Sequence, residues 1–168
     1  MDFVPFFKYF SELADTETRV LTIKNSPDLD DGDYGFVELY CSKPGCDCRR
    51  VHIMVIKEGV SVSLADINFG WDSPDYYTSF HGYTDDRAAE AILNPLGTQS
   101  KYAPYLLNCF KQLILDQDYL ERIRRHYRMV KQACKTEAHV RSSCSNHQKA
   151  IAKKKKKKRE KSARKKAR

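Results

Sequence analysis

Apolar residues fall along this chain first in three strand-like runs, Tyr34–Cys41, Arg49–Lys57 and Val60–Trp71, and then at helical spacing. In the middle run Val51, Ile53 and Val55 share one face and His52, Met54 and Ile56 the other, so both faces of that strand are expected to be largely covered. Glu58-Gly59 between the second and third runs is a short hairpin signal. Ahead of the strands, the aromatic-rich Phe3–Phe10, the polar Ser11–Asp15 and the apolar Val20–Ile23 predict a helix or two. Asn25–Asp33 has turn chemistry, with Pro27 and Gly32 among acids. It does not follow a calcium loop: counted from Asp28, the fifth position is Gly32 and the twelfth is Leu39.

From Asp72 onward the pattern is helical. Thr84–Asp86 offers a cap and an acidic first turn to a helix over Arg87–Leu93, which Asn94-Pro95 ends. A second helix starts near Ala103, with Pro104 in its first turn and apolar residues at Leu106, Phe110, Leu113 and Ile114. A third starts at Asp118, which forms a capping box with Glu121. Along it Leu120, Ile123, Tyr127, Val130 and Cys134 make an apolar stripe, and Arg124, Arg128, Lys131 and Lys135 a basic one beside it. These elements predict an α+β fold, a small antiparallel sheet of about three strands packed with C-terminal helices. The polar run after Arg141 divides the chain into a domain over residues 1–141 and a disordered basic tail over 142–168.

The length, 168 residues, is room for one domain. No window approaches the roughly 18–20 unbroken apolar residues of a membrane span. Asp2 stands where a secretory signal carries basic residues, so no signal peptide is expected. The net charge of +8 changes meaning once it is partitioned. Residues 151–168 hold 12 basic residues and one acid, while residues 1–150 hold 18 basic residues and 21 acids. An acidic body with a basic end points to a tail that contacts polyanions.

The densest chemistry is the run Cys41-Ser-Lys-Pro-Gly-Cys46-Asp-Cys48. Pro44-Gly45 is a type II turn pair that folds the chain back between Cys41 and Cys46. A bend at Asp47 lets Cys48 reach the same point, so three thiolates can converge on one zinc ion. His52 is nearest in sequence as a fourth ligand, and Cys109 or His126 can arrive from the helices. Reduced structural thiols and a redox or disulfide role are the alternatives, and Arg49 and Arg50 favour thiolates in either case. The run Tyr-Cys-x-x-Pro-Gly-Cys-Asp-Cys-Arg-Arg-Val over residues 40–51, with Gly70-Trp71, Gln99–Ala103 and Arg125–Tyr127, resembles a family of uncharacterised bacterial proteins. The resemblance spans about residues 15–130 and carries no activity. It implies that Cys41, Cys46, Cys48 and His126 form one site. A second spacing, Cys134-x4-His139-x4-Cys144-x2-His147, contains part of a zinc knuckle, but Lys131 occupies the place of the first cysteine.

The tail residues Lys153, Lys154, Lys155, Lys156, Lys157, Lys158 and Arg159 favour RNA or DNA without sequence preference, since phosphate neutralisation releases counterions. With the basic stripe Arg124, Arg128, Lys131 and Lys135 they are the candidate nucleic-acid contacts. The tail has no aromatic residue for base stacking. A nuclear localisation signal in a eukaryote, an acidic membrane surface and a solubilising tail without a partner are the other readings. No lysine has an acid two residues before it, and no G-x-S-x-G, P-loop or H-E-x-x-H motif is present. The chain therefore reads as a noncatalytic, zinc-stabilised cytoplasmic module, nuclear if eukaryotic, held near nucleic acid by its tail. The alternative is a cysteine- or metal-dependent enzyme using the cysteine cluster with His126.

Overall fold

A computed structural model describes residues 3–84 and 87–138. The tail and the second cysteine–histidine spacing beyond Cys134 lie outside the described residues. The chain runs through β1 (Phe3–Pro5), a 3-10 turn (Phe6–Lys8), α1 (Ser11–Glu17), β2 (Arg19–Ile23), β3 (Gly32–Cys41), β4 (Arg50–Lys57) and β5 (Ala65–Gly70). It continues through α2 (Pro74–His81), β6 (Ile92–Leu93) and α3 (Ala103–Leu113) to a last helix, α4, over residues 117–138.

Among the described residues the α+β class holds, but the antiparallel sheet has six strands and not about three. β3, β4, β5 and β6 follow one another across it, while β1 and β2 share the free edge of β3. β2 pairs with residues 32–36 of β3 and β1 with residues 39–41. The three extra strands are short, at three, five and two residues, and in β2 the consecutive apolar Val20 and Leu21 break the polar–apolar alternation. Val20–Ile23, expected to be helical, lies in β2, with Val20 exposed and the neighbouring Leu21 half-buried as the pleat requires. The expected helix over Arg87–Leu93 is also absent: Ile92 and Leu93 pair with Asn68 and Ile67 of β5. The third strand begins at Ala65 and not Val60. Ser63 turns its hydroxyl onto the carbonyls of Val55 and Ala65, competing with ladder bonds, and Val62 stays exposed.

The core lies on one side of the sheet. Register places Phe36, Glu38 and Tyr40 of β3 on the same side as Val51, Ile53 and Val55 of β4, and all six are buried. The opposite side of β4 is covered less than its sequence suggests: His52 and Met54 are half-buried and Ile56 is exposed. Phe110 of α3 joins the layers, its ring centroid 6.2 Å from Phe36, 5.7 Å from Phe69 and 6.5 Å from Tyr119 of α4. On α4, Ile123, Tyr127, Val130 and Cys134 of the expected stripe are buried and Leu120 is half-buried. The cap of α4 is Asp116 and not Asp118: its Oδ1 accepts the Asp118 and Tyr119 N–H groups at 3.0 and 3.5 Å. No helix among the described residues is long and apolar enough to cross a membrane.

Candidate metal centre

The connection between β3 and β4, residues 42–49, holds the cysteines. Cys41 is the last residue of β3, and Pro44-Gly45 reverses the chain as expected, with Gly45 at φ 74° and the Cys46 N–H on the Lys43 carbonyl at 3.3 Å. Arg49 then takes a left-handed φ of 46°, uncommon for a residue with a side chain. Its guanidinium is anchored by Asp47 at 3.0 Å and Asp72 at 2.8 Å and lies 4.2 Å from the Tyr76 ring centroid. These ties hold the backbone where it turns from the loop into β4.

Around these turns the sulfurs of Cys41, Cys46 and Cys48 lie within 4.8 Å of one another. Ligand sulfurs of one zinc, each about 2.3 Å from the ion, stand at most about 4.6 Å apart, so this trio fits a shared metal after small side-chain adjustments. Cys41 and Cys48 are buried and Cys46 is half-buried. Burial works to raise the Cys41 thiol, but the Lys43 backbone, the Lys131 ammonium and the neighbouring thiols outweigh it and hold the thiol below its ordinary value. The Cys48 thiol is pushed up to about 12 by burial and by charge on Cys41 and Cys46. Three thiolates in so small a volume repel one another, and a bound cation removes that repulsion.

The residues expected to complete the site are elsewhere. His52 Nδ1 pairs with the Asn68 side-chain oxygen at 2.9 Å, and neither His52 nor Cys109 belongs to the cysteine group. Arg49 and Arg50 serve Asp47, Asp72 and the tyrosine rings of α2, whereas Lys131 is the cation at the cluster, donating to the carbonyls of Cys41 at 2.8 Å and Lys43 at 3.4 Å.

His126 occupies a different centre. It is 1% exposed, stacks on Phe6 at 3.8 Å between ring centroids, and places Nδ1 2.6 Å from Glu38 Oε2 and Nε2 2.7 Å from Glu17 Oε2. Ionised carboxylates only accept, so both contacts are complete when each ring nitrogen carries a proton. Tyr40 also donates to Glu38 Oε2 at 2.6 Å, while burial and then the Glu38 charge push the Tyr40 hydroxyl well above its usual range. Arg125 pairs with Glu17 from outside. With both nitrogens committed, His126 is neither a ligand of the cysteine group nor the base of a Cys–His pair.

Glu17 and Glu38 escaped the sequence reading. Glu38 was visible in principle, because it alternates with Phe36 and Tyr40 on the inward face of β3. Glu17 joins only through the packing of α1 against α4. Burial raises its carboxyl, but hydrogen bonds from His126 and Arg125 outweigh this and hold it below the ordinary 4.5. A depressed carboxyl adds stability above its unfolded value and loses it as pH falls through the folded one. Glu17→Gln therefore unfolds more readily than the natural chain above about pH 5 in urea titrations across pH, and the two converge only as pH falls through the depressed folded value. An unchanged gap down to low pH counts against this pairing.

The fold and this loop define an α+β protein with a three-cysteine group placed to hold a metal ion. Compared with known proteins, the chain matches no family model, no curated protein and no solved structure.

Proposed function

We propose that the protein is a noncatalytic module in which Cys41, Cys46 and Cys48 hold a zinc ion that structures the β3–β4 connection, and which associates with RNA or DNA through its basic C-terminal end. The convergence of three thiols within 4.8 Å supports the metal half. Sulfur ligands select a soft or borderline ion, and zinc accepts a tetrahedral, thiolate-rich shell without redox chemistry. A fourth donor completes that shell; among the described residues no further His, Cys, Asp or Glu joins the trio. The free thiols suit a reducing compartment such as the cytoplasm.

The association with nucleic acid is supported by charge alone: 12 basic residues in the last 18, and four more on the basic stripe of α4. Elemental analysis of the purified full chain is expected to find one zinc per molecule, with the three thiols shielded from titration until chelator is added. Substoichiometric metal with freely titratable thiols rejects the metal half. Glutamine at Lys153–Lys158 is expected to weaken RNA and DNA binding and flatten its salt dependence. Binding unaltered by that change rejects the tail's role.

A further inference from the structure

Two cavities of about 350 Å³ each lie along α4. The first is lined by Cys46, Lys131 and Lys135, the second by Arg49, Trp71 and Arg124, and Asp47, Tyr127 and Arg128 border both. Adjoining along that border, they make a groove in two parts, walled on one side by the cysteine loop and on the other by the basic stripe of α4. The Tyr127 hydroxyl, 3.1 Å from Asp47 Oδ1, ties the two walls together.

Asp47 and Asp72 both pair with Arg49, leaving one net negative charge against the cations of the stripe. Arg124 pairs with Glu121 and donates to the Trp71 carbonyl. Arg128 and Lys135 are exposed and have no ion-pair partner among the described residues, whereas Lys131 is engaged by the carbonyls of Cys41 and Lys43 and by the cysteine cluster. From Arg124 to Lys135 the stripe is about 16 Å long at the helical rise of about 1.5 Å per residue, enough for consecutive phosphates. Trp71 lines the same groove half-exposed, its ring 5.1 Å from Tyr127 and nearly perpendicular to it. Uncompensated cations beside an accessible indole match a charged backbone carrying unpaired bases, whereas a duplex keeps its bases stacked away from such a ring.

We infer that this groove binds single-stranded nucleic acid, with phosphates on Arg128 and Lys135 and an unpaired base against Trp71. The inference rests on the nucleic-acid association proposed above and moves part of it from the tail into the folded domain. Trp71 is the only tryptophan in the chain, so its emission reports occupancy directly.

The test uses the full chain with glutamine at Lys153–Lys158, titrated with a short oligouridylate at low salt. A saturable change in Trp71 emission is expected. Arg128→Glu with Lys135→Glu, two exposed positions whose replacement leaves the thermal unfolding curve in place, is expected to lower affinity at least about tenfold. It also reduces the slope of log K against log salt by about 1.4, the loss of two single-strand phosphate contacts at about 0.7 each. Trp71→Leu is expected to weaken binding several-fold with that slope unchanged, and the milder pair Arg128→Ala and Lys135→Ala repeats the first result in smaller measure. No emission change, or no effect of the charge reversals, overturns the groove. Equal competition by a duplex overturns the single-strand assignment, and equal competition by polyglutamate overturns nucleic acid as the ligand. If only the chain with its six lysines intact binds, the tail reading stands and the groove falls; if neither binds, both fall.

Discussion

Cys48→Ser is expected to reduce the metal content from one equivalent to almost none and to lower the thermal midpoint of the whole domain. Cys48 is buried, and with Cys41 and Cys46 it supplies the only three-donor group among the described residues, so a hydroxyl there leaves two thiolates for the ion. Structural zinc binds with an apparent free energy of about 10–16 kcal/mol in small sites. A whole domain is stable by only about 5–15 kcal/mol. The loss is therefore large even though the β3–β4 connection is one part of a larger core. Chelator is expected to bring the natural chain down to the midpoint of the variant and to leave the variant unmoved, whereas Cys109→Ser, outside the group, keeps its metal. Elemental analysis and scanning calorimetry read these outcomes. A Cys48→Ser chain that keeps a full equivalent, or a natural chain indifferent to chelator, removes the metal from the account of this fold.

His126→Leu is expected to destabilise the protein by about 3–5 kcal/mol, the range for leaving a buried charge without its hydrogen-bond partner. The variant strands the Glu38 carboxylate, 5% exposed, whose other oxygen, Oε1, already has no partner among the described residues. Removing both polar groups has a different outcome. Glu38→Met combined with His126→Leu is expected to recover much of the loss, since two apolar side chains of similar size need no partners. Tyr40 does not block this recovery. Its hydroxyl lies 3.0 Å from the Ile123 carbonyl and transfers its hydrogen bond there. Urea denaturation midpoints of the three chains decide the matter: a small effect of His126→Leu, or a double variant worse than the single one, shows that the His126–Glu38 hydrogen bond does not lock α4 to the sheet.

The cysteine loop was legible because everything that shapes it is local. Pro44-Gly45 sets the reversal through two dihedral preferences, and eight consecutive residues contain all three sulfurs. The stripes of α4 were legible for a similar reason, as a period of 3.6 shows over twenty residues. The helix expected over Arg87–Leu93 had a plausible start but few turns behind it, and pairing of Ile92 and Leu93 with β5 outweighed a weak propensity. The start of α4 moved because Asp116 and Asp118 are both capable caps, and only the path of the chain out of α3 selects between them.

His126 marks the limit of sequence reading most sharply. It flanks the apolar stripe of α4 beside Tyr119 and Val130, and a histidine in a cysteine-rich chain invites a metal. Its partners, Glu17 and Glu38, are 109 and 88 residues away, and only the packing of α1 and α4 over β3 brings them to its two nitrogens.

By itself, the sequence determined the α+β class, the three-cysteine loop and the basic stripe of α4, because each depends on dihedral preferences or periodicities that act within a few turns of chain. Tertiary structure decided that the sheet has six strands, that Lys131 and not Arg49 or Arg50 serves the cysteines, and that His126 locks helices to the sheet. Those outcomes depend on which distant surfaces meet and exclude water, and no local pattern encodes a contact across a hundred residues.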